Sequence, residues 1–161
     1  MDKRANIARL LTELDELSPR GFAIALHIRS HAPTFLFQTF PVEWVEHYHA
    51  RGLVMKDPAM HWAFESTGAI RWRDLTDDDP NGVMMQAKRF GMGYGFTLSI
   101  REPGTRSLGG FARNDRDYLD FEIDEIDGRM KQLHQATDGL TELSAADRNA
   151  LKRMSIRMTH N

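Results

Sequence analysis

The sequence contains no cysteine, which excludes disulfide bonds, thiol catalysis and cysteine metal sites. The formal net charge is only −2, so no strong basic field draws the chain to nucleic acid or to an anionic membrane. No apolar run approaches the ~18 residues of a membrane span, and the first residues lack the apolar core of a signal peptide. These absences predict a cytoplasmic protein with no membrane segment.

What is present fits a single folded domain. The chain has 161 residues, of which 41% are hydrophobic and 27% charged, an ordinary balance for a globular protein with its own core. The nine methionines are slightly numerous, and methionine adapts well to irregular apolar space or to a flexible apolar ligand.

Periodicity predicts an α+β fold, in which a five-stranded antiparallel sheet is flanked by helices as an α/β/α sandwich. Strands are expected at residues 21–28, 34–39, 70–72, 96–100 and 107–112, with turns at 31–33 and 76–82. Helices are expected at residues 5–17, 41–50, 57–65 and 83–90, then from Asn114 or Asp115 to about 136, and again from Ser144. Apolar residues of the long helix recur at helical spacing, which predicts a core face or a dimer seam.

The segment from Pro41 to Trp72 holds the chemically richest residues, Trp44, Tyr48, Asp57 and Trp72. Indole N–H groups donate, a phenol donates or accepts, a carboxylate accepts, and the three rings add apolar wall. This combination suits a pocket for a small ligand that is partly amide or ester and partly apolar.

Each of these residues also has a purely structural interpretation. Trp44 and Tyr48 lie four apart on a helix and therefore share one face, which fits an aromatic core pair equally well. Asp57 precedes Pro58 and is a good helix N-cap, a role that leaves one oxygen for a ligand. Trp72 lies between Arg71 and Arg73, so its ring is expected to point inward, away from the two charges.

Other chemical candidates are weaker. His47 and His49 lie two apart and do not share a helix face, unlike metal-binding pairs four apart, so no metal site is expected. Gly91, Gly93 and Gly95 precede a strand rather than a helix, which favours a hinge or close backbone approach to a ligand over a phosphate loop. The carboxylates at 115–127 lack calcium-loop spacing, and there is no G-x-S-x-G motif.

The motif Trp44-x3-Tyr48-x8-Asp57-Pro58-x13-Trp72 resembles the autoinducer-binding domain of LuxR-type quorum-sensing regulators. Phe90-Gly91 and Gly95-Phe96-Thr97 are similar to the family's segment before the fourth strand, and the resemblance covers most of the chain. It implies a sandwich of the PAS or GAF type, no enzymatic activity and no cofactor. It also implies a closed pocket for an N-acyl-homoserine lactone.

The resemblance assigns a role to each residue of the motif. Trp44 would donate to the lactone carbonyl, Asp57 would accept from the amide N–H, Tyr48 would donate to the acyl carbonyl, and Trp72 would pack against the lactone ring. The chain departs from the family at two further ligand-binding positions. Phe40 stands where a tyrosine is common, and Ala112 stands where a serine or threonine is common. These departures favour a plain, long or otherwise unusual acyl chain.

The C-terminal segment is a third departure from the family pattern. Residues 1–140 are expected to form the autoinducer-binding domain, and residues 141–161 a helical extension resembling only the first helix of a helix-turn-helix domain. This chain alone is therefore expected not to bind DNA specifically. The resemblance implies that the chain forms a homodimer, or a heterodimer with a full-length LuxR-type regulator. It would act by sequestering ligand or by disabling that regulator.

Two other functions remain open on the sequence alone. One is an enzyme that processes an acylated small molecule with His47 or His61 beside Asp57. The other is a structural dimerisation module whose aromatic core encloses no cavity.

Overall fold

A computed structural model of the chain describes residues 3–30, 32–153 and 156–159. The predicted turn at 31–33 begins on His31, which lies outside the described residues. The helices are α1 (Lys3–Glu16), α2 (Val42–Ala50), α3 (Pro58–Glu65), α4 (Val83–Arg89), α5 (Asp120–Ala136) and α6 (Ala145–Arg153). The strands are β1 (Phe22–Ile28), β2 (Phe35–Gln38), β3 (Gly68–Arg71), β4 (Tyr94–Arg101), β5 (Arg106–Arg113) and β6 (Arg157–Thr159).

The strands form one sheet in the order β3-β4-β5-β1-β2-β6, and every neighbouring pair is antiparallel. The five predicted strands are confirmed, and the α+β architecture with them. A sixth strand, β6, was not predicted. It pairs with β2, and the Arg157 guanidinium donates to the Phe40 carbonyl just beyond β2.

One face of the sheet carries large apolar side chains and forms the main core. Phe22, Ile24 and Leu26 of β1 are fully buried there with Phe96 of β4 and Phe111 of β5. Helices α1 and α5 cover this face with a second set of buried residues. Those residues are Ile7, Leu10, Leu11, Leu14, Ile126, Met130 and Leu133. The predicted core face of the long helix is confirmed at Ile126, Met130 and Leu133.

The other face is covered by a separate apolar cluster from α2, α3, α4 and the segments between them. The cluster includes Trp44 of α2, Ala59 of α3, and Val83 and Ala87 of α4. Two short 3₁₀ helices, Leu53–Met55 and Trp72–Asp78, connect them. The second of these extends into the first three residues of the predicted turn at 76–82.

The prediction that Asn114 or Asp115 caps the long helix is wrong. Helix α5 begins at Asp120, with Leu119 at its N-cap and Glu122 accepting from the Leu119 backbone N–H. Asp115 instead pairs with the Arg113 guanidinium at 2.9 Å. Residues 114–119 form a loop between β5 and α5, and Asp115 pairs with Arg113 at the start of that loop.

The C-terminal segment packs onto the same core. Ser144 accepts from the Asp147 backbone N–H and begins α6 as predicted. Leu143, Leu151 and Ile156 are buried among the main core residues. Among the described helices, none combines the length and apolar character needed to cross a membrane.

Candidate ligand-binding site

A cavity of about 280 Å³ lies between the sheet and the layer formed by α2, α3 and α4. Its floor includes Ala23 and Ala25 of β1 and Gly110 of β5. The room exists because these floor positions carry only a methyl group or no side chain. The same strands send large side chains to the opposite face, so the alternation along each strand separates core from cavity.

Trp44 and Tyr48 both line the cavity from α2, as their four-residue spacing predicts. The Trp44 ring is 5% exposed and lies 5.6 Å from the Tyr48 ring and 5.5 Å from the Phe90 ring, centroid to centroid. Within the part of the chain that the structure describes, the Trp44 indole N–H donates no hydrogen bond. It is therefore a donor available to a bound molecule.

Asp57 takes the capping role that its sequence position suggested. It lies at the N-cap of α3, where Oδ1 accepts from the Ala59 backbone N–H at 2.9 Å. Its Oδ2 accepts from the Tyr48 hydroxyl at 2.8 Å. Burial raises the pKa of this carboxyl above its ordinary value, and these two hydrogen bonds oppose that rise. Burial, together with the neighbouring Asp57, raises the pKa of Tyr48, so the phenol keeps its proton.

The Tyr48–Asp57 hydrogen bond bears on the expectation that Tyr48 donates to a ligand carbonyl. A phenol has one proton to donate, and here that proton is directed to Asp57. Donation to a ligand would require this bond to break and would leave a buried carboxyl oxygen with one partner fewer.

Trp72 points inward, as its position between two arginines predicts. It lines the cavity, while Arg71 and Arg73 pair with Asp120 and Asp117. The Trp72 indole N–H donates to the Thr97 hydroxyl at 2.9 Å. A Cβ on Gly95 would lie 2.4 Å from two ring atoms of Trp72. The glycine pattern predicted a hinge or close backbone approach to a ligand, whereas the group that packs against Gly95 is the Trp72 ring.

Phe40 lines the cavity, whereas Ala112 does not. Ala112 is fully buried in the cluster that contains Trp72 and Phe40, and its cross-strand neighbour is Gly95. Since the Trp72 ring packs on Gly95, this end of the sheet is filled by the indole. The β5 residues that do line the cavity are Leu108, Gly109 and Gly110.

Sequence reasoning missed Thr97 and Gln38, two buried polar residues of the cavity floor. It also missed Ala23 and Gly110, whose small or absent side chains leave room for the cavity. For Ala23 and Thr97 a signal was present: small or polar residues alternate with large apolar ones in Phe22–Ile28 and in Tyr94–Arg101. Such alternation indicates two different faces of one sheet.

His47 and His61 make their hydrogen bonds to groups other than Asp57. The ring of His47 hydrogen bonds through Nε2 to Gln86 Oε1 at 2.7 Å, and His61 Nε2 bonds to the Met55 carbonyl at 3.0 Å. No group of histidine and acidic side chains among the described residues could hold a metal ion. The alternative of a structural module without a cavity is wrong, because a cavity lies beside Trp44 and Asp57.

Comparison with known proteins agrees with this architecture. The family model of the autoinducer binding domain matches residues 11–137. The HTH-type quorum-sensing regulator RhlR of Pseudomonas aeruginosa is 30% identical over 107 residues, which are 65% of this chain and 44% of RhlR. The chain therefore spans less than half the length of this relative.

Two solved structures share the fold. SdiA in complex with octanoyl-rac-glycerol superposes with a TM-score of 0.65 at 16% identity, covering 96% of this chain and 70% of SdiA. CepR2 of Burkholderia cenocepacia, an N-acylhomoserine lactone dependent LuxR family transcription factor, gives a TM-score of 0.57 at 16% identity over 87% of this chain and 96% of CepR2. Since the family model matches most of the chain, the protein belongs to the autoinducer binding domain family of LuxR-type quorum-sensing regulators, which are receptors and not enzymes.

Proposed function

We propose that this domain binds an N-acyl-homoserine lactone in the cavity beneath α2, α3 and α4. The observation that carries the proposal is that a hydrogen-bond donor without a protein partner and a buried hydrogen-bond acceptor line the same cavity. The Trp44 indole N–H has no partner among the described residues, and Asp57 is a buried carboxyl on the same cavity wall. A lactone-amide offers one carbonyl for the former and one N–H for the latter.

The contacts of each residue support the role that we propose for it. Trp44 donates to the lactone carbonyl, and Asp57 accepts from the ligand amide N–H with the lone pairs that Ala59 and Tyr48 leave free. Trp72 and Phe40 supply apolar wall around the ligand. Tyr48 holds the Asp57 carboxyl in place, because its proton is already directed there.

Thermal unfolding in the presence of a panel of acyl-homoserine lactones tests the proposal. Binding to the native state alone raises its stability by RT ln(1 + [L]/Kd), so the unfolding temperature should rise with ligand concentration. Asp57→Ala and Trp44→Phe should reduce that rise, since each leaves a ligand group unpaired at a cost of about 1–3 kcal/mol. Val42→Ala is the matched control, because Val42 lies on α2 but is 48% exposed and outside the cavity.

The panel should include 1-octanoyl-glycerol, since the SdiA structure was solved with octanoyl-rac-glycerol. If no lactone shifts the unfolding temperature, or if only the acylglycerol does, then the proposed ligand class is wrong. Equal shifts in the native protein, Asp57→Ala and Trp44→Phe would show that the ligand binds elsewhere.

We further propose that the domain acts in the cytoplasm as a homodimer or as a heterodimer with a longer LuxR-type regulator, and sequesters ligand or disables that regulator. The described residues after α6 form β6 rather than a second helix, which supports the view that this chain alone does not bind DNA specifically. Residues 1–140 would then be the sensing domain. Light scattering of the purified protein, alone and mixed with a full-length regulator, measures the assembly, and a monomer in both samples would contradict this proposal.

A further inference from the structure

Thr97 is a buried hydroxyl on the cavity floor whose own proton has no acceptor among the described residues. The side chain lines the cavity and is 4% exposed. Its Oγ1 accepts from the Trp72 indole N–H at 2.9 Å. Because that lone pair faces a donor, the hydroxyl hydrogen must point elsewhere. A buried donor without a partner is uncommon in native proteins, and a ligand is one way to satisfy it.

The sheet leaves the region beside this hydroxyl open. The cross-strand neighbour of Thr97 on β5 is Gly110, and the neighbour of Gly110 on β1 is Ala23. Directly opposed residues share a face of the sheet, so an absent side chain and a methyl group lie next to the hydroxyl. A Cβ on Gly110 would be 3.8 Å from Phe40 Cζ and 3.8 Å from Trp72 Cζ2, which places the two rings over this part of the floor.

The position of α3 relates Thr97 to Asp57. Ser99 of β4 donates to the Ala63 carbonyl of α3 at 2.7 Å, so α3 lies over the strand that carries Thr97. Asp57, at the start of α3, and Thr97, on β4, therefore line the same cavity from its cover and its floor. In a trans amide the N–H and the C=O point in opposite directions. A ligand that gives its N–H to Asp57 directs its acyl carbonyl away from α3 and toward the floor.

We propose that the Thr97 hydroxyl, oriented by the Trp72 indole, donates to the acyl carbonyl of the bound ligand. This inference rests on the proposed function and deepens it, because it assigns to Thr97 the donor role that the sequence motif suggested for Tyr48. The Tyr48 proton is held by Asp57, and Phe40 has no hydroxyl. Trp72 then acts as a positioning residue that fixes the direction of the Thr97 hydroxyl.

The test compares each acyl-homoserine lactone with its thioamide analogue, in which sulfur replaces the acyl oxygen. The thioamide keeps the N–H but is a poorer acceptor. Thr97→Val keeps the shape of the side chain and removes its hydroxyl. We expect Thr97→Val to weaken binding of the oxygen ligand on the order of tenfold and to lose most of the preference for oxygen over sulfur. Thr97→Ser keeps the hydroxyl and should retain both the affinity for the oxygen ligand and the preference for oxygen over sulfur.

Ser99→Ala is the matched control. Ser99 is a second buried hydroxyl on the same face of β4, its proton goes to the Ala63 carbonyl, and it does not line the cavity. Its substitution should lower stability but preserve the preference for oxygen over sulfur. A purely structural role of Thr97 would make the two variants alike in this preference, and that outcome would overturn the proposal.

Tyr48→Phe supplies a second comparison that does not require Thr97→Val to fold. If Thr97 is the donor, the native preference for the oxygen ligand persists in Tyr48→Phe. If the preference disappears there, Tyr48 is the donor and the proposal is overturned. Failure of the native protein to bind any acyl-homoserine lactone would instead refute the proposed function, so the two failures are distinguishable.

Discussion

At the scale of single residues, Asp57 serves the fold and the proposed site through the same carboxyl group. Oδ1 caps α3 through the Ala59 N–H, and Oδ2 accepts from Tyr48. The cost of burying this carboxyl is offset by those bonds, and its raised pKa shows that they do not offset it completely. Capping and ligand binding can be separated by substitutions that affect one and spare the other.

Asp57→Asn should separate the two roles. Asparagine is as good an N-cap as aspartate, so Asp57→Asn should keep the α3 cap and lose less stability than Asp57→Ala. Its amide NH₂ cannot accept from a ligand N–H, so ligand affinity should fall. Asp57→Ala should lose the cap as well and cost about 1 kcal/mol of stability. Urea unfolding and ligand titration of the three proteins measure both quantities, and unchanged affinity in Asp57→Asn would exclude Asp57 as the ligand acceptor.

At the scale of secondary-structure elements, periodicity predicted helices and strands well where side chains alternate between core and solvent. It failed at the start of α5, because the choice between capping and ion pairing of Asp115 depends on Arg113, which the strand β5 positions. It also missed β6, since three residues carry too little pattern and depend on the open edge of β2 for pairing.

Helix α5 contains a glycine that neither packing nor a turn requires. A Cβ at Gly128 would meet no atom within 4 Å, and Gly128 lies in the interior of a 17-residue helix. Gly128→Ala should therefore stabilise the protein by about 0.5–1 kcal/mol through helix propensity. Denaturant unfolding measures the change. A destabilised Gly128→Ala would indicate that another chain packs at this position, as a dimer seam on α5 would require.

At the scale of the whole molecule, the C-terminal segment contributes to the main core. Leu151 of α6 is 3% exposed and lies in the core cluster with α1 and α5. Leu151→Ala should cost about 2–5 kcal/mol of stability, whereas Val42→Ala, at an exposed site, should cost less than about 0.5 kcal/mol. Equal unfolding temperatures for the two variants would mean that residues after 140 form an independent extension.

A buried pair of histidines joins β1, β5 and α5. The rings of His27 and His134 stack with centroids 4.3 Å apart. The His27 ring hydrogen bonds through Nε2 to the His134 carbonyl at 2.8 Å and through Nδ1 to Thr105 Oγ1 at 2.7 Å. Burial, and secondarily the charge of His134, lowers the pKa of His27 below its ordinary value of 6.5. The native state therefore binds fewer protons than the unfolded chain just below that pH.

This proton difference predicts that stability falls as the pH drops below 6.5, because protonation then favours the unfolded chain. His27 has a φ of 51°, a conformation that asparagine tolerates, so His27→Asn is the matched variant. Its stability should change less between about pH 7.5 and about pH 5.5 than that of the native protein. The raised pKa of Asp57 has the opposite effect on how stability depends on pH. This effect is present in both the native protein and His27→Asn, so it does not alter their comparison. Parallel pH profiles would exclude His27 as the source.

The sequence by itself determined which residue types surround the site. It placed Trp44 and Tyr48 on one helix face, put Asp57 at an N-cap, and turned Trp72 inward, all through local spacing. Only the tertiary structure decided where each proton goes. The Trp72 N–H reaches Thr97, 25 positions along the chain, and Tyr48 reaches Asp57. The physical reason is that hydrogen bonds form between groups about 3 Å apart, and strand register and helix packing set those distances.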